Sequence, residues 1–254
     1  MISNKMLLKL IAFGMAVFLA RPVRAVELNE PGDAIHGYPV LYDLSGKKLA
    51  SGEFRQWLEG KHLHVVISYK FPDGRSWEEN ALFRQETEIV QEKWSWKESN
   101  DGKIQREFEA NFVEGTARAH IPGQGVDFSD KIEIVSGRTF VGFGFAIALS
   151  NLHDRLAKGE KIELIAVGFT PKPRLVKVNV SYAGLDQITL GNHTFRGDNF
   201  VFHPELPMLV KWFVHAPDHH IWLTNPAPAT FLRWEGPIVL PSDPIIRVDF
   251  AAAE

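Results

Sequence analysis

The sequence predicts a mainly β (α+β) protein with one main helix. Two observations favour this class. Apolar and polar residues alternate with a period of two along most of the chain, as they do in half-buried strands. Residues 140–158 instead carry apolar residues at helical spacing. No linker of biased composition divides these regions, so we expect a single domain.

Composition and charge exclude several classes of function for this chain. The chain has 254 residues, of which 45% are hydrophobic and 23% charged, as in an ordinary globular protein. Its 28 Lys and Arg against 31 Asp and Glu give a net charge of −3, which argues against nucleic-acid binding. Cysteine is absent. This excludes disulfides, thiolate metal sites, cysteine nucleophiles and a lipidated N-terminal cysteine.

Residues 1–25 have the parts of a secretory signal peptide. Lys5 and Lys9 form a basic start, residues 10–20 are apolar, and the small residues Val23 and Ala25 suit cleavage after Ala25. A membrane anchor is the rival interpretation, but the apolar run is shorter than the roughly 20 residues that span a bilayer. We therefore expect a periplasmic or secreted mature chain, residues 26–254, without a transmembrane segment.

The first half of the chain predicts a meander of antiparallel strands. Three stretches alternate most clearly, namely 62–71, 89–98 and 103–112. Glycine-containing turns separate the runs at 59–61, 72–74 and 100–102. In the third stretch the predicted inward face comprises Ile104, Phe108, Ala110 and Phe112. We expect a loop at 122–129 and a short strand at 131–135.

The helix is predicted over residues 140–158. Phe145, Leu149, Leu152 and Leu156 lie at helical spacing, and Gly159 is a typical C-terminal stop. The first half of this stretch is apolar all round, which suits an element buried on more than one side.

Strand patterns resume after the helix. They cover 161–169, 174–182, 187–195, 199–202, 220–224, 230–235 and 245–250. Residues 206–214 form a helix or a tight loop over the core in this interpretation. Eight prolines follow residue 200, a content that suits edge strands and loops better than central strands.

The order of these elements resembles that of a known family. Two local patterns match: 152–159, with Arg155 and Gly159, before the strand 162–169, and 218–224 before 231–235. The chain resembles uncharacterised bacterial periplasmic domains similar in fold to the LolA/LolB-type lipoprotein carriers. This resemblance implies a strongly curved antiparallel sheet, or half-open barrel, wrapped around the helix. It also implies capture of an acyl-bearing or otherwise apolar ligand.

Apolar residues predicted to face the inside of such a sheet are the candidate ligand-binding residues. They are Tyr69, Phe71, Trp94, Trp96, Phe108, Phe112, Gly142, Phe143, Gly144, Phe145 and Leu149. Two interpretations stay open, because aromatic residues on a buried face either line a pocket or fill a core. Gly142 and Gly144 likewise either make the helix a movable cover or relieve crowding against Trp94 or Phe108.

Other chemistry is less favoured. His62 and His64 share a strand face, and His203, His215, His219 and His220 gather near the C-terminus, but no third metal ligand is fixed by spacing. His219 and His220 are interpreted as an exposed turn. We assign no metal, cofactor or catalytic residue, since the usual hydrolase and nucleotide motifs are absent.

The acid pairs Glu78/Glu79 and Glu107/Glu109 are interpreted as surface residues. Trp94 and Trp96 would stack sugars if their face were exposed. The sequence thus favours a non-enzymatic periplasmic protein that binds or carries an apolar or acylated envelope component. Two alternatives stay open: a secreted hydrolase acting on lipid or glycan, and an envelope scaffold or carbohydrate-binding protein without an apolar ligand. A protein partner is not specified.

Overall fold

The structure, a computed structural model, describes residues 24–205, 217–226 and 228–252. Its strands are β1 Ile35–Asp43, β2 Lys48–Glu59, β3 His62–Lys70, β4 Arg75–Gln85, β5 Ile89–Asn100, β6 Lys103–Asn111, β7 Thr116–Ile121, β8 Val126–Lys131, β9 Thr139–Phe140, β10 Ile162–Phe169, β11 Pro173–Leu190, β12 His193–Pro204, β13 His219–Thr224, β14 Phe231–Pro237 and β15 Ile245–Ala252. A short 3₁₀ helix spans Pro122–Gln124, and the α-helix, α1, spans Gly144–Ala157.

All these strands belong to one sheet with the order β8-β7-β6-β5-β4-β3-β2-β1-β15-β14-β13-β12-β11-β10-β9. Neighbours pair antiparallel except β9 and β10, which are parallel. Strand β15 pairs with β1, so the last strand joins the two halves of the chain at the middle of the sheet. The predicted β-rich class and antiparallel meander are therefore confirmed.

The sheet curls until its two halves face each other. Nine strands separate β5 from β10 in the sheet order, yet Trp94 and Phe169 have ring centroids only 5.9 Å apart. Phe108 on β6 also contacts Phe169, at 5.0 Å. The curl does not close, because β8 and β9 do not pair with each other. The result is a curved, barrel-like sheet with an apolar interior.

Helix α1 lies inside this curl. Leu149, Leu152 and Leu156 are buried, as the helical spacing predicts. The ring of Phe145 packs on Phe202 of β12 at 5.1 Å. On the same side, His153 Nε2 lies 2.8 Å from the buried Asp198 carboxylate. No helix of the described residues is both long and apolar enough to cross a membrane.

The predicted start of the helix is wrong. It begins at Gly144, because Phe140 belongs to β9 and Gly142 adopts a φ of +57°. A positive φ is incompatible with a right-handed helix, so Gly142 forms the turn before it.

Several other boundaries also differ. Strand β8 covers part of the expected loop at 122–129, and the expected strand at 131–135 contributes only Lys131 to β8. Ile104 is 39% exposed, because a bulge between Glu98 and Ser99 changes the register of β5 and β6. The described prolines after residue 200 lie in connections or at the strand ends Pro204 and Pro237, as the prediction of loops requires, whereas the strands that follow them, β14 and β15, are central and not edge strands. The prediction for 206–214 and nearly all of 1–25 lie outside the described residues.

Candidate functional site

The interior of the curl is packed unevenly along strand β3. Leu63 and Val65 are 0% and 1% exposed, whereas Ile67 and Tyr69 farther along the same face are each 8% exposed. Strand β4 shows the same trend, from the fully buried Phe83 to Trp77. We call the region of Leu63, Val65, Phe83 and Ile89 the plugged end, and the region of Tyr69, Phe71, Trp77 and Trp96 the aromatic end.

Residues 26–34 cover the plugged end. Main-chain hydrogen bonds tie this segment to the β4–β5 turn, from Ile89 N to Val26 O at 3.0 Å and from Leu28 N to Thr87 O at 3.0 Å. The Asn151 side chain of α1 accepts hydrogen bonds from the Asn29 and Glu30 amides at 2.7 and 2.8 Å. The plugged end is therefore closed by backbone pairing and by a buried helix side chain.

The aromatic end is a connected set of rings. Phe71 and Trp77 meet at a centroid distance of 4.6 Å, and Trp77 continues to Trp96 at 5.7 Å. Tyr69 contacts Trp77 edge-on at 6.3 Å. Such edge-on and tilted contacts are the arrangements that aromatic pairs prefer.

A carboxylate lies within this apolar interior. Glu79 has the inward orientation of Trp77 and Ala81, and its Oε1 accepts hydrogen bonds from Trp94 Nε1 at 2.8 Å and Phe143 N at 2.7 Å. Burial raises the pKa of Glu79, although these two hydrogen bonds oppose the shift. Burial, reinforced by the nearby Glu79 charge, also raises the pKa of Tyr69. Glu79 nevertheless retains some accessible surface.

The turn before α1 is clamped to strands β4 and β5. Gln91 Oε1 accepts from Val141 N at 2.8 Å, and Gln91 Nε2 donates to Val141 O at 3.2 Å. A Cβ added at Gly142 would lie 2.1 Å from Glu79 Oε1 and 2.3 Å from Trp94 Nε1. A Cβ at Gly144 would lie 2.4 Å from Gln91 Oε1. The two glycines therefore permit close approach, and of the two interpretations this geometry favours relief of crowding over a movable cover.

An ion pair between Arg106 and Asp243 lies across the opening of the aromatic end, next to Trp96, and we call this opening the mouth. Arg106 lies over the Trp96 ring at 5.1 Å and donates to both Asp243 oxygens, at 2.8 and 3.0 Å. It also donates to Glu98 at 2.7 Å. Asp243 belongs to the β14–β15 connection, residues 238–244, and five strands separate β6 from β15 in the sheet. The pair therefore crosses the open curl and holds this connection against the aromatic end.

The nine predicted ligand-binding residues other than the glycines all belong to one hydrophobic core or pack against it, but at different places within it. Tyr69, Phe71 and Trp96 lie together at the aromatic end, and Trp94 and Gly142 adjoin Glu79. Phe108 is fully buried against Phe169. The remaining members are distributed elsewhere: Phe112 follows β6, Gly144 faces Gln91, Phe143 packs on Phe54 and Phe231, Phe145 packs on Phe202, and Leu149 is fully buried in α1.

Several residues of this region were not predicted from the sequence. Trp77 and Glu79 could have been found, because Trp77, Glu79, Ala81 and Phe83 alternate in the same way as the chosen strands. The interpretation of Glu79 as a surface residue is wrong, since it points inward. Asp243 carries no local signal, because its partner Arg106 is 137 positions away.

Two further interpretations are corrected. Trp94 and Trp96 are buried and offer no exposed platform for sugars. His219 and His220 belong to β13 and not to an exposed turn. Burial lowers the pKa of His219 to about 4.

Within the described residues, no cluster of three or more His, Asp or Glu could hold a metal ion. His62 and His64 instead lie near the carboxylates of Glu92 and Glu59.

Comparison with known proteins identifies a fold and no family. No family model matches the chain, and neither does any curated protein. A solved structure, the β-barrel-like protein of domain of unknown function DUF1849 from Brucella abortus, is similar with a TM-score of 0.51 and 8% identity, over 87% of this chain and 96% of that one. This similarity shows a shared β-barrel-like fold.

A second solved structure is more distant. The hypothetical lipoprotein YmcC from Escherichia coli has a TM-score of 0.40 and 7% identity, over 89% of this chain and 92% of that one, which is too low to carry an argument. Neither structure is described as a LolA- or LolB-type carrier, so that resemblance stays a prediction.

Proposed function

We propose that this is a non-enzymatic binding protein for an amphipathic ligand with an apolar, acyl-like chain. The observation that supports it most directly is the aromatic end, a set of apolar rings that each keep 5–8% of their surface accessible, under a connection that an ion pair helps to hold in place. Ligand sites of this kind combine apolar walls with a few placed polar groups.

The rings of the aromatic end suit an alkyl chain. Tyr69, Phe71, Trp77 and Trp96 present ring faces and edges, and each keeps some accessible surface. A chain that enters between them removes apolar area from water, which contributes roughly 25 cal/mol per Å². Glu79 lies next to Trp94 and α1 and places one polar group beside these rings.

The mouth of the aromatic end suits an anionic head group. Arg106 is bound by Glu98 and Asp243, and Arg75 lies over the Phe71 ring at 4.6 Å. A carboxylate or phosphate on the ligand competes with Asp243 for the Arg106 guanidinium, whose donors match such groups in pairs. Displacing Asp243 loosens residues 238–244, whose Ile238, Val239 and Leu240 also pack against the core, and so eases access to the rings below.

The location belongs to the same proposal. The basic start, apolar run and small residues of positions 1–25 favour export to the periplasm, where acylated envelope components occur. A mature chain that starts at Val26 keeps the main-chain pairs that close the plugged end.

Binding of a fluorescent fatty acid to the purified full-length protein tests the proposal. We expect saturable binding that unlabelled palmitate displaces, and faster association after Asp243→Ala. The matched control is Asp249→Ala, which removes a comparably buried carboxylate bonded to Arg233 at 2.6 and 3.0 Å, away from the mouth. This control should associate like the wild type.

Two results would overturn the proposal. One is absence of saturable binding by wild-type protein for both the fatty acid and a lysophospholipid, together with no lipid in extracts of protein purified from its own envelope fraction. The other is equal acceleration by Asp243→Ala and Asp249→Ala, which would mean that opening at residues 238–244 plays no part in entry.

A further inference from the structure

The outer face of the sheet carries a groove separate from the aromatic end. It has a volume of about 600 Å³ and runs across seven strands, from Trp57 on β2 to Ser129 on β8. Its lining side chains alternate with buried ones such as Val65, Ala81 and Ala110, so they point away from the interior. A second depression of about 490 Å³ adjoins it and shares Trp57 as a wall.

Strand pairing arranges the groove in two parallel rows. One row follows Trp57, His64, Leu82, Lys93, Asn111 and Thr116. The other follows Val66, Asn80, Ser95, Glu109, Arg118 and Ser129. Because neighbouring strands lie about 4.8 Å apart, seven strands extend over roughly 29 Å along the sheet. The groove therefore suits an elongated ligand that crosses the strands.

Trp57 gives the groove a fixed aromatic wall. It is 39% exposed, and its ring stacks on His64 at a centroid distance of 4.9 Å and an interplanar angle of 9°. A stacked ring loses little freedom when a ligand binds, and its indole offers an apolar face with a polar edge. Flat aromatic faces of this kind suit the apolar face of a sugar ring.

The floor of the groove offers unused hydrogen-bonding groups. Lys93, Ser95 and Glu109 make no side-chain hydrogen bond or ion pair with any other described residue, and Asn80 uses only its amide nitrogen, toward Glu78. Donors and acceptors thus alternate over three neighbouring strands. Such a mixed set matches hydroxyl groups, each of which both donates and accepts.

The charges of the groove are balanced. Lys93 and Arg118 face Glu109 and Glu114 among the lining residues. A lining with equal numbers of positive and negative side chains does not create the strong positive field that would attract a polyanion. Its apolar side chains on the outer face, Trp57, Val66 and Leu82, are interspersed with polar ones such as His64 and Asn80, unlike the continuous apolar centre of a protein interface.

We infer that this groove binds a linear, uncharged oligosaccharide, with Trp57 stacking on a sugar ring and Lys93, Ser95 and Glu109 bonding to its hydroxyl groups. The inference is independent of the proposed acyl-chain function, because the groove and the aromatic end lie on opposite faces of the sheet.

Calorimetric titration of the full-length protein with maltohexaose, cellohexaose and chitohexaose tests it. We expect at least one of the three to bind, and Trp57→Ala to weaken that binding roughly tenfold, equivalent to about 1.4 kcal/mol. The matched control is Phe195→Ala, because Phe195 is also 39% exposed and also contacts a histidine ring, on the other half of the sheet. This control should bind like the wild type.

A second pair of variants tests the polar floor. Lys93→Met should weaken binding several-fold, whereas Lys97→Met, on the same face of β5 but outside the groove, should not. Unchanged thermal unfolding midpoints show that the variants fold.

Three outcomes would overturn the inference: no binding of any of the three hexasaccharides, equal losses for Trp57→Ala and Phe195→Ala, or tighter binding of a hexagalacturonate than of the uncharged sugars. A purified protein partner that requires Trp57, combined with no sugar binding, would assign the groove to a protein interface instead.

Discussion

The two ends of the curled interior have the same strands and the same alternation, but different covers. Strand β3 supplies Leu63 to the plugged end and Tyr69 to the aromatic end, and both point inward. Over Leu63, residues 26–34 add main-chain hydrogen bonds to the fold. Over Trp96, residues 238–244 are held by the Arg106–Asp243 ion pair. Inward orientation alone therefore does not decide whether a surface is core or binding site.

The type of cover has energetic consequences. Several main-chain hydrogen bonds must break together before the plugged end can open, and each contributes roughly 1 kcal/mol to stability. The Arg106–Asp243 pair is also largely buried, at 16% and 10% exposure, but an anionic ligand at the mouth can replace Asp243 as the partner of Arg106. We therefore expect the plugged end to open only when the protein unfolds, and the aromatic end to open locally.

The largest expected effect is a difference in stability loss between the two ends when one aromatic ring in each is truncated to alanine. Phe83→Ala removes a fully buried ring at the plugged end and should lower the free energy of unfolding by about 3–5 kcal/mol. Phe71→Ala, in the less tightly packed aromatic end, should cost roughly 2 kcal/mol. Urea unfolding measures both. Equal losses would mean that the two ends are packed alike, and the comparison would fail.

A second prediction concerns the clamp between the two ends. Gly142→Ala meets Glu79 and Trp94 and also strains a positive φ, whereas Gly60→Ala strains a similar φ of +62° with nothing near its Cβ. Overpacking should make the Gly142 variant less stable than the Gly60 variant by about 1–3 kcal/mol. If Gly142→Ala instead stabilises the protein and slows binding of an apolar probe, α1 is a movable cover after all.

Local patterns in the sequence predicted much of the fold. Alternation in β3, β5 and β6 gave the meander and the inward faces of Tyr69 and Trp96, because side-chain direction in a strand depends only on position parity. The start of α1 was missed because Glu79 and Gln91, more than 50 positions earlier in the chain, fix the turn at Gly142.

Long-range order could not be predicted in the same way. The central place of β15 depends on its pairing with β1, about 200 positions earlier, and no local pattern specifies that partner. The mouth depends on the packing of Ile238, Val239 and Leu240 against the core and on the ion pair between Arg106 and Asp243, and a single charge in a loop usually contacts only solvent. The covers of the two ends, which decide their roles, are therefore the part that the sequence did not reveal.

The smallest expected effect is a pH dependence of the free energy of unfolding that arises from Glu79, beside the aromatic end. Burial raises the pKa of Glu79 above its ordinary value of 4.5, so the native state holds this proton more tightly than the unfolded state does. The stabilising contribution is complete below 4.5 and is lost as the pH rises through the native pKa. Glu79→Gln keeps an acceptor for Phe143 N and Trp94 Nε1 but carries no charge. The variant should therefore gain stability relative to wild type as the pH rises from acid to neutral.

Urea unfolding across this pH range measures the difference, and Glu78→Gln is the matched control because Glu78 lies on the outer face of the same strand. A constant difference between wild type and Glu79→Gln would show that Glu79 has the same proton affinity in both states. That result would mean either that bulk water reaches the Glu79 carboxylate or that its hydrogen bonds from Phe143 N and Trp94 Nε1 fully offset its burial, and in both cases Glu79 would not make the stability depend on pH.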